Sequence, residues 1–443
     1  MADAVIVSTS RTPIGRANKG SLVDARPDDM SAHTLSDVLS KVDMDPNEVE
    51  DVIWGIGQPG GEGGYNIARV ISAQQGLDLP GVTVNRYCSS SLQTIRMAAH
   101  AIMAGEGDCF VAGGVETVSR YMHGAADTGP HNEIFADAET RTKERSAGGT
   151  DGWQPPAGVP DIYIAMGQTA ENVVQHTGIS RERQDEWGVS SQNRAEAALA
   201  RGFFEREITP YTLPDGTVVS QDDGIRPGTT LEKVSTLAPV FRPDGTVTAG
   251  NACPLNDGAA AVLVMSADKA KAMGLDPIAR IVSSGVSALN PEIMGLGPID
   301  ACKQAMARAG MSIGDIDHVE INEAFAVQVL GSADELGIDL DKLNPNGGAI
   351  ALGHPFGMTG ARIMTTLLNG LEDADKEWGV ESMCVAVGRA WRWWSSASTE
   401  SCSAWATRGA VPALTPAPDY WGRAVWSGAA LTTGGRTGRR PRG

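Results

Sequence analysis

Residues 82–114 read "VTVNRYCSSSLQTIRMAAHAIMAGEGDCFVAGG", and this stretch decides the fold. It opens on a short β-branched run, continues as "SSLQTIRMAAHAIMAGE" with apolar residues at helical spacing, and closes on a second apolar run in "DCFVAGGVE". That change of period predicts strand, helix, strand. Upstream, "DAVIVST" (3–9) and "EDVIWGI" (50–56) are further strand candidates, and "DDMSAHTLSDVLSKV" between them places Met30, Leu35, Val38 and Leu39 at helical spacing. Strands and helices alternating in this way imply a layered α/β fold with helices packed on a mainly parallel sheet.

The plan occurs twice. "SIGDIDHVEINEAFA" (312–326) parallels "DPNEVEDVIWGIGQ" (45–58) as acidic turn, strand and loop. "LNPNGGAIALGHPFGMTGARIMTTLLNGLE" (343–372), followed by "VESMCV" (380–385), parallels the opening stretch. Two related halves flanking a cleft are expected, the first spanning 1–119 and completed by about 248–269, the second spanning 270–384. Between them, residues 120–247 hold the Gly/Pro-rich "AGGTDGWQPPAGVPD" and the amphipathic "ISRERQDEWGVSSQNRAEAALARGFF". This segment reads as an inserted loop domain that can cover a ligand.

Composition narrows the function. A chain of 443 residues with 42% hydrophobic residues has enough apolar surface for more than one core, and no run of 18 apolar residues marks a membrane span. "MADAVIVSTSRTPIGR" lacks the basic, apolar and small-residue sections of a secretory leader, so a cytoplasmic location is expected. The cysteines at 88, 109, 253, 302, 384 and 402 show neither CxxC pairing nor neighbouring histidines, which argues for reduced thiols and against a metal site. Residues 1–384 hold 28 Lys+Arg against 52 Asp+Glu, a balance that disfavours nucleic acid.

Cys88 follows a strand and precedes a helix, where free N–H groups and the helix dipole favour a thiolate. A lone cysteine is more often a small core residue. His354 lies in a glycine-rich loop before a helix at the corresponding place of the second half, so the two form a candidate nucleophile and base. Asn322 ends a strand and either orients a water or a substrate carbonyl, or caps the next helix. Cys384 ends the last strand of the second half. Two cysteines and a histidine at strand ends suit acyl transfer through a thioester. A competing signal, "GIGQPG" (55–60), fits the GxGxxG dinucleotide pattern, but Pro59 and the glycines beyond it break the strand-turn-helix context.

Taken together, "NRYCSSSLQ", "VAGGVETVS", "MGQTAENV", "GTVTAGNACPLNDGAAAV", "INEAFA" and "NGGAIALGHPFGMTGAR" resemble the thiolase family, in the family order along residues 1–384. The resemblance implies a thiolase fold, with two related βαβαβαββ halves in a layered α-β-α-β-α arrangement and an inserted loop domain. It implies acyl-CoA and coenzyme A as partners, a homodimer or homotetramer, no metal and no tightly bound cofactor. By the same resemblance Cys88 is the nucleophile that carries the acyl thioester, and His354 is its base. Cys384 is the second acid/base, and Asn322 holds a water that, with Nε2 of His354, stabilises the enolate oxygen. The backbone N–H groups of Cys88 and residue 386 would hold the tetrahedral oxyanion. Arg226, Cys253, Ala324 and Phe325 match coenzyme A positions, although the family commonly has Ser at position 253. "AMG" at 165–167, where short-chain biosynthetic members often have "HMG", points to a 3-ketoacyl-CoA thiolase of fatty acid β-oxidation. An acetoacetyl-CoA enzyme working in the condensing direction, a decarboxylating ketoacyl synthase and a non-catalytic binding relative are the alternatives.

The chain changes character after Cys384. Six of the ten tryptophans follow residue 390, and residues 385–443 hold eight arginines, no lysine and two acids. Where thiolases continue with a glycine-rich loop and a last apolar strand, this chain reads "CVAVGRAWRWWSSAS". One permitted coding of this stretch, given one extra base in the Val385 codon, translates as "CVGGGQGMAMVVERLN" and then stops. Tryptophan has a single codon, so the run around Trp391–Trp394 largely forces that result. Residues 385–443 are therefore expected to be an out-of-frame tail.

Overall fold

The computed structural model describes residues 2–124, 130–149 and 151–385, together with the backbone of Ser403–Gly409. The remainder of the expected out-of-frame tail lies outside the described residues.

Among the described residues ten strands form the main sheet: nine pair in the order His318–Ile321, Trp378–Met383, Ser403–Gly409, Ala279–Val286, Ala4–Arg11, Asn256–Ser266, Cys109–Thr117, Asp51–Ile56 and Gly81–Val84, and the short Gly15–Arg16 pairs with Asn256–Ser266. The order is pseudo-symmetric about the junction of the halves, where Val5 pairs with Arg280 and Ile6 with Ala279. In the first half Asp51–Ile56 runs parallel to Cys109–Thr117, and in the second His318–Ile321 runs parallel to Trp378–Met383. Each parallel pair then meets an antiparallel strand, Asn256–Ser266 or Ser403–Gly409. The sheet is thus mixed rather than mainly parallel. A parallel neighbour needs a crossover that carries the chain back to the starting edge. The segment after Cys109–Thr117 makes no such crossover, so Asn256–Ser266 re-enters at the end where the earlier strand left.

Two helices lie between the halves. Leu92, Ile95 and Ile102 of Ser90–Ala104 share one core with Ile363, Met364 and Leu368 of Thr359–Asp373. Each such side chain, once buried, contributes about 1.5–3 kcal/mol. The helices touch near their N-termini: a Cβ on Gly360 would stand 2.3 Å from the Leu92 nitrogen, and the Ala361 N–H donates to Ser91 Oγ at 2.9 Å. Pro27–Ser40 and Ile67–Gln74 cover the outer face of the first half. Pro298–Ala309 and Ala326–Leu336 cover that of the second. The layers therefore follow the expected sequence of helices, sheet, helices, sheet, helices.

The amphipathic stretch of the insertion forms the helix Arg181–Ala200, capped by Ser180 Oγ, which accepts the Arg183 N–H at 3.2 Å. No helix among the described residues is long and apolar enough to cross a membrane.

Candidate active site

Because the two central helices meet at their N-termini, the loops that enter them converge. Cys88 sits in the turn Tyr87–Ser89, directly before the first of these helices. Tyr87 has a φ of 43°, left-handed backbone that costs a bulky residue about 1–2 kcal/mol. Three hydrogen bonds hold it: Asn85 Oδ1 accepts the Tyr87 N–H at 2.8 Å, Ser90 Oγ accepts the Arg86 N–H at 2.9 Å, and the Ser90 hydroxyl donates to Tyr87 O at 2.7 Å. The strained turn delivers Cys88 to the wall of a pocket of about 330 Å³.

His354 reaches the same pocket from the second half. Its backbone N–H donates to Asn256 Oδ1 at 3.0 Å. Gly353, at φ 114°, makes this approach possible, since a Cβ there would lie 2.6 Å from the Asn256 side chain. The ring packs edge-on against Phe356 at 5.2 Å, and Nδ1 lies 2.7 Å from Thr359 Oγ1. Nε2 is buried with no hydrogen-bond partner among the described residues. Burial, reinforced by the positive charge of Arg362, holds the imidazole pKa down at about 3. The ring is therefore neutral and able to accept a proton.

Asn322 and Cys384 emerge side by side from adjacent parallel strands, with Ile321 opposite Ser382 and the Asn322 N–H donating to Ser382 O at 3.0 Å. Neither is among the residues that line the pocket. The capping role for Asn322 is overturned. The next helix begins at Ala326 with Phe325 as its N-cap, and both Asn322 side-chain polar atoms are buried without a hydrogen-bond partner among the described residues. Cys384 is wholly buried, and desolvation, then Cys88 and Cys253, push its thiol well above the usual range. It is a protonated thiol. Residue 386, read as an oxyanion donor, lies outside the described residues.

Arg226, Cys253, Ala324 and Phe325 all line the pocket. The Cys253 N–H donates to Ala324 O at 3.1 Å, and Ala252 bridges Phe325, so these positions form one short pairing. Desolvation drives the Cys253 thiol up. The Arg226 N–H donates to Gln192 Oε1 of the inserted helix at 2.8 Å, and Arg16 and Lys19 line the pocket beside it.

Two buried carboxylates were not visible as site residues in the sequence. Glu323 accepts from Trp187 Nε1 at 3.1 Å and Ser191 Oγ at 2.6 Å, which ties the inserted helix to the "INEAFA" loop. It also accepts the N–H of Ile350, a pocket residue, at 3.1 Å. Glu116 accepts the N–H groups of Gly57 at 2.8 Å, Gln58 at 3.2 Å and Gly357 at 2.9 Å. That clamp also disposes of the dinucleotide reading, because amides of "GIGQPG" that a diphosphate would need are occupied by Glu116. Among the described residues, no group of three or more His, Cys, Asp and Glu side chains is placed to hold a metal ion.

A cysteine and a neutral histidine, brought from opposite halves of a duplicated sheet to one pocket, define the architecture of an acyltransferase. The N-terminal domain of thiolase matches residues 4–268, and the C-terminal domain of thiolase matches residues 275–393. The chain is 42% identical over 402 residues to the 3-ketoacyl-CoA thiolase of Bacillus subtilis, spanning 88% of this chain and 97% of that protein. It is 44% identical over 404 residues to the 3-ketoacyl-CoA thiolase of Idiomarina loihiensis, spanning 88% of this chain and 98% of that protein. The crystal structure of the Bacillus anthracis acetyl-CoA acetyltransferase superposes with a TM-score of 0.77 at 35% identity, over 93% of this chain and 99% of that one. This chain belongs to the thiolase family.

Proposed function

We propose that the chain catalyses coenzyme A-dependent cleavage of 3-ketoacyl-CoA to acetyl-CoA and a shortened acyl-CoA, and the reverse condensation, through a thioester on Cys88. The observation that carries this reading is the shared pocket, lined by both Cys88 and a neutral His354 whose Nε2 has no hydrogen-bond partner among the described residues. Nε2 accepts the Cys88 proton as sulfur attacks the keto carbon, and the N–H groups of Cys88 and residue 386 receive the oxyanion. Breaking the carbon–carbon bond leaves the acyl group on Cys88 and an acetyl-CoA enolate. Protonated Nε2 and a water held by Asn322 stabilise that enolate, and Cys384 protonates its carbon. The coenzyme A thiol, deprotonated by Cys384, then takes the acyl group from Cys88. Arg226, Cys253, Ala324 and Phe325 hold the coenzyme. The test is Cys88→Ser: thiolysis is lost while coenzyme A binding, read by calorimetry, persists. Unchanged thiolysis would sink the assignment.

Chain length divides two readings. The names of the Bacillus subtilis and Idiomarina relatives, and Ala165 in place of histidine, favour a degradative 3-ketoacyl-CoA substrate. Likeness to the Bacillus anthracis acetyl-CoA acetyltransferase favours acetoacetyl-CoA made in the condensing direction. Comparing kcat/KM for acetoacetyl-CoA with that for longer 3-ketoacyl-CoA substrates separates them. A homodimer or homotetramer in the cytoplasm completes the proposal. The strand Gly81–Val84, paired on one side only among the described residues, and the exposed Tyr65, Val82 and Met122 support the assembly.

We further propose that residues 385–443 are out of frame and that the working enzyme ends near residue 399 with an intact glycine loop. The match to the C-terminal thiolase domain stops at residue 393, yet the relatives are covered almost completely within 88% of this chain. As written, 19 residues separate Met383 from Ser403, its antiparallel partner strand's first residue. The intact mass of the protein from its native source decides: a mass near 46.3 kDa would establish the written tail and favour the reading of an impaired, non-catalytic binding relative.

A further inference from the structure

We propose that Thr359 is a positioning residue that fixes the tautomer of His354, keeping the proton on Nδ1 and the lone pair on Nε2. The inference rests on the reading of His354 as the base for Cys88. Thr359 Oγ1 lies 2.7 Å from His354 Nδ1 and 2.7 Å from Pro355 O. A hydroxyl has one proton to donate, and a carbonyl oxygen can only accept. The Thr359 proton therefore goes to Pro355 O, in the shortest of the three bonds that this oxygen receives; the N–H groups of Met358 and Thr359 donate to it at 3.1 and 3.0 Å. What Oγ1 has left for Nδ1 is a lone pair, so Nδ1 must carry the hydrogen. Because neutral imidazole has a single N–H, Nε2 is then the bare nitrogen.

The surroundings allow no easy escape from this arrangement. Thr359 and His354 are buried, so bulk water does not compete for Nδ1. Thr359 is itself held at the first position of a helix anchored to its partner through the Ala361–Ser91 hydrogen bond. The opposite tautomer would leave a hydrogen on Nε2, with no lone pair there to accept the Cys88 proton. With the hydrogen kept on Nδ1, the proton that Nε2 takes from Cys88 is the same one it offers to the enolate oxygen. Thr359 thus sets which of the two jobs His354 begins with.

The experiment follows iodoacetamide alkylation of Cys88 in the full chain from pH 6 to 9, site-resolved by mass spectrometry, in wild type, Thr359→Val and Thr359→Ser. Thr359→Val should alkylate about tenfold or more slowly at pH 7 and recover as the pH rises, in line with loss of a general base. Thr359→Ser, which keeps the hydroxyl, should stay within about threefold of wild type. Thermal melts report whether each variant is folded, and Thr359→Ala carries the same expectation if the valine variant is not. A folded Thr359→Val that alkylates like wild type, or a Thr359→Ser as slow as the valine variant, overturns the tautomer role alone. A His354→Gln variant with unaltered alkylation overturns the base reading and this proposal together.

Discussion

Glu116, in the first half, accepts the backbone N–H of Gly357, in the second half, at 2.9 Å across a separation of 241 residues. The bond holds the loop that follows His354 against the end of the strand Cys109–Thr117. Burial raises the Glu116 carboxyl to about 7, and hydrogen bonds from Gly57, Gly357, Tyr121 and Gln58 oppose the rise. An unfolded glutamate titrates near 4.3, so the folded protein holds the extra proton between these values. This group's contribution to stability is therefore fully present below about pH 4 and is lost as pH rises towards 7, by about 2 kcal/mol between pH 5 and 7. Glu116→Gln should remove this group's contribution, read in urea unfolding curves as the pH 5-to-7 difference between variant and wild type. It should also lower kcat more than it raises KM, because the loop it releases carries His354, the proposed base.

His354 has the opposite sign. Its folded pKa of about 3 lies below an unfolded value near 6.5, so the unfolded chain binds the proton first. The contribution is present above about pH 6.5 and is lost on acidification, again by about 2 kcal/mol between pH 7 and 5. The two buried groups nearly cancel in the wild type. Each substitution should unmask the other: Glu116→Gln becomes acid-sensitive, and His354→Gln loses stability from pH 5 to 7. Both slopes can be read from urea midpoints at the two pH values. His354→Gln should also lower kcat by about 10²–10⁴-fold.

Cys384→Ser should separate the two half-reactions. Its thiol is held protonated by burial, which suits a group that protonates the enolate. In the serine variant, acetyl transfer from acetyl-CoA to Cys88 should persist as a labelled covalent adduct. Condensation and carbon–carbon cleavage should fall by at least about 10²-fold. Adduct formation at the wild-type rate would remove Cys384 from the acyl-transfer step, where it is read as exchanging a proton with the coenzyme A thiol, and leave it the enolate step alone.

At the pocket rim, Arg226→Ala should raise KM for coenzyme A about tenfold with kcat little changed, the loss expected for one charge-assisted contact. Reaction with pantetheine, which lacks the nucleotide phosphates, should change less. Equal effects on both thiols would show that Arg226 acts on the pantetheine arm.

The residues that were legible in the sequence are those whose signal is local. The period change over residues 82–114 located a strand, the helix Ser90–Ala104 and a second strand, and the duplicated pattern placed Cys88 and His354 at equivalent entries to central helices. Strand direction was not legible, because hydropathy is the same whichever way a buried strand runs. Nor were the supports. The left-handed Tyr87 gives no compositional warning of its turn, Glu323 looks like any acid beside a motif, and Glu116 meets its partners only after folding. Side chains that act on reacting groups follow motif spacing. Those that hold them in place depend on contacts far apart in sequence.

The place between Trp378–Met383 and Ala279–Val286 is filled by the backbone of Ser403–Gly409, which pairs with both neighbours. A ladder of this kind recognises amides and carbonyls, which every reading frame encodes alike. The glycine loop expected after Val385 has no such indifference, since only one frame spells it. A one-base slip in this gene would thus keep a strand in the ladder while losing the loop, so an enzyme assay should report it more sharply than circular dichroism.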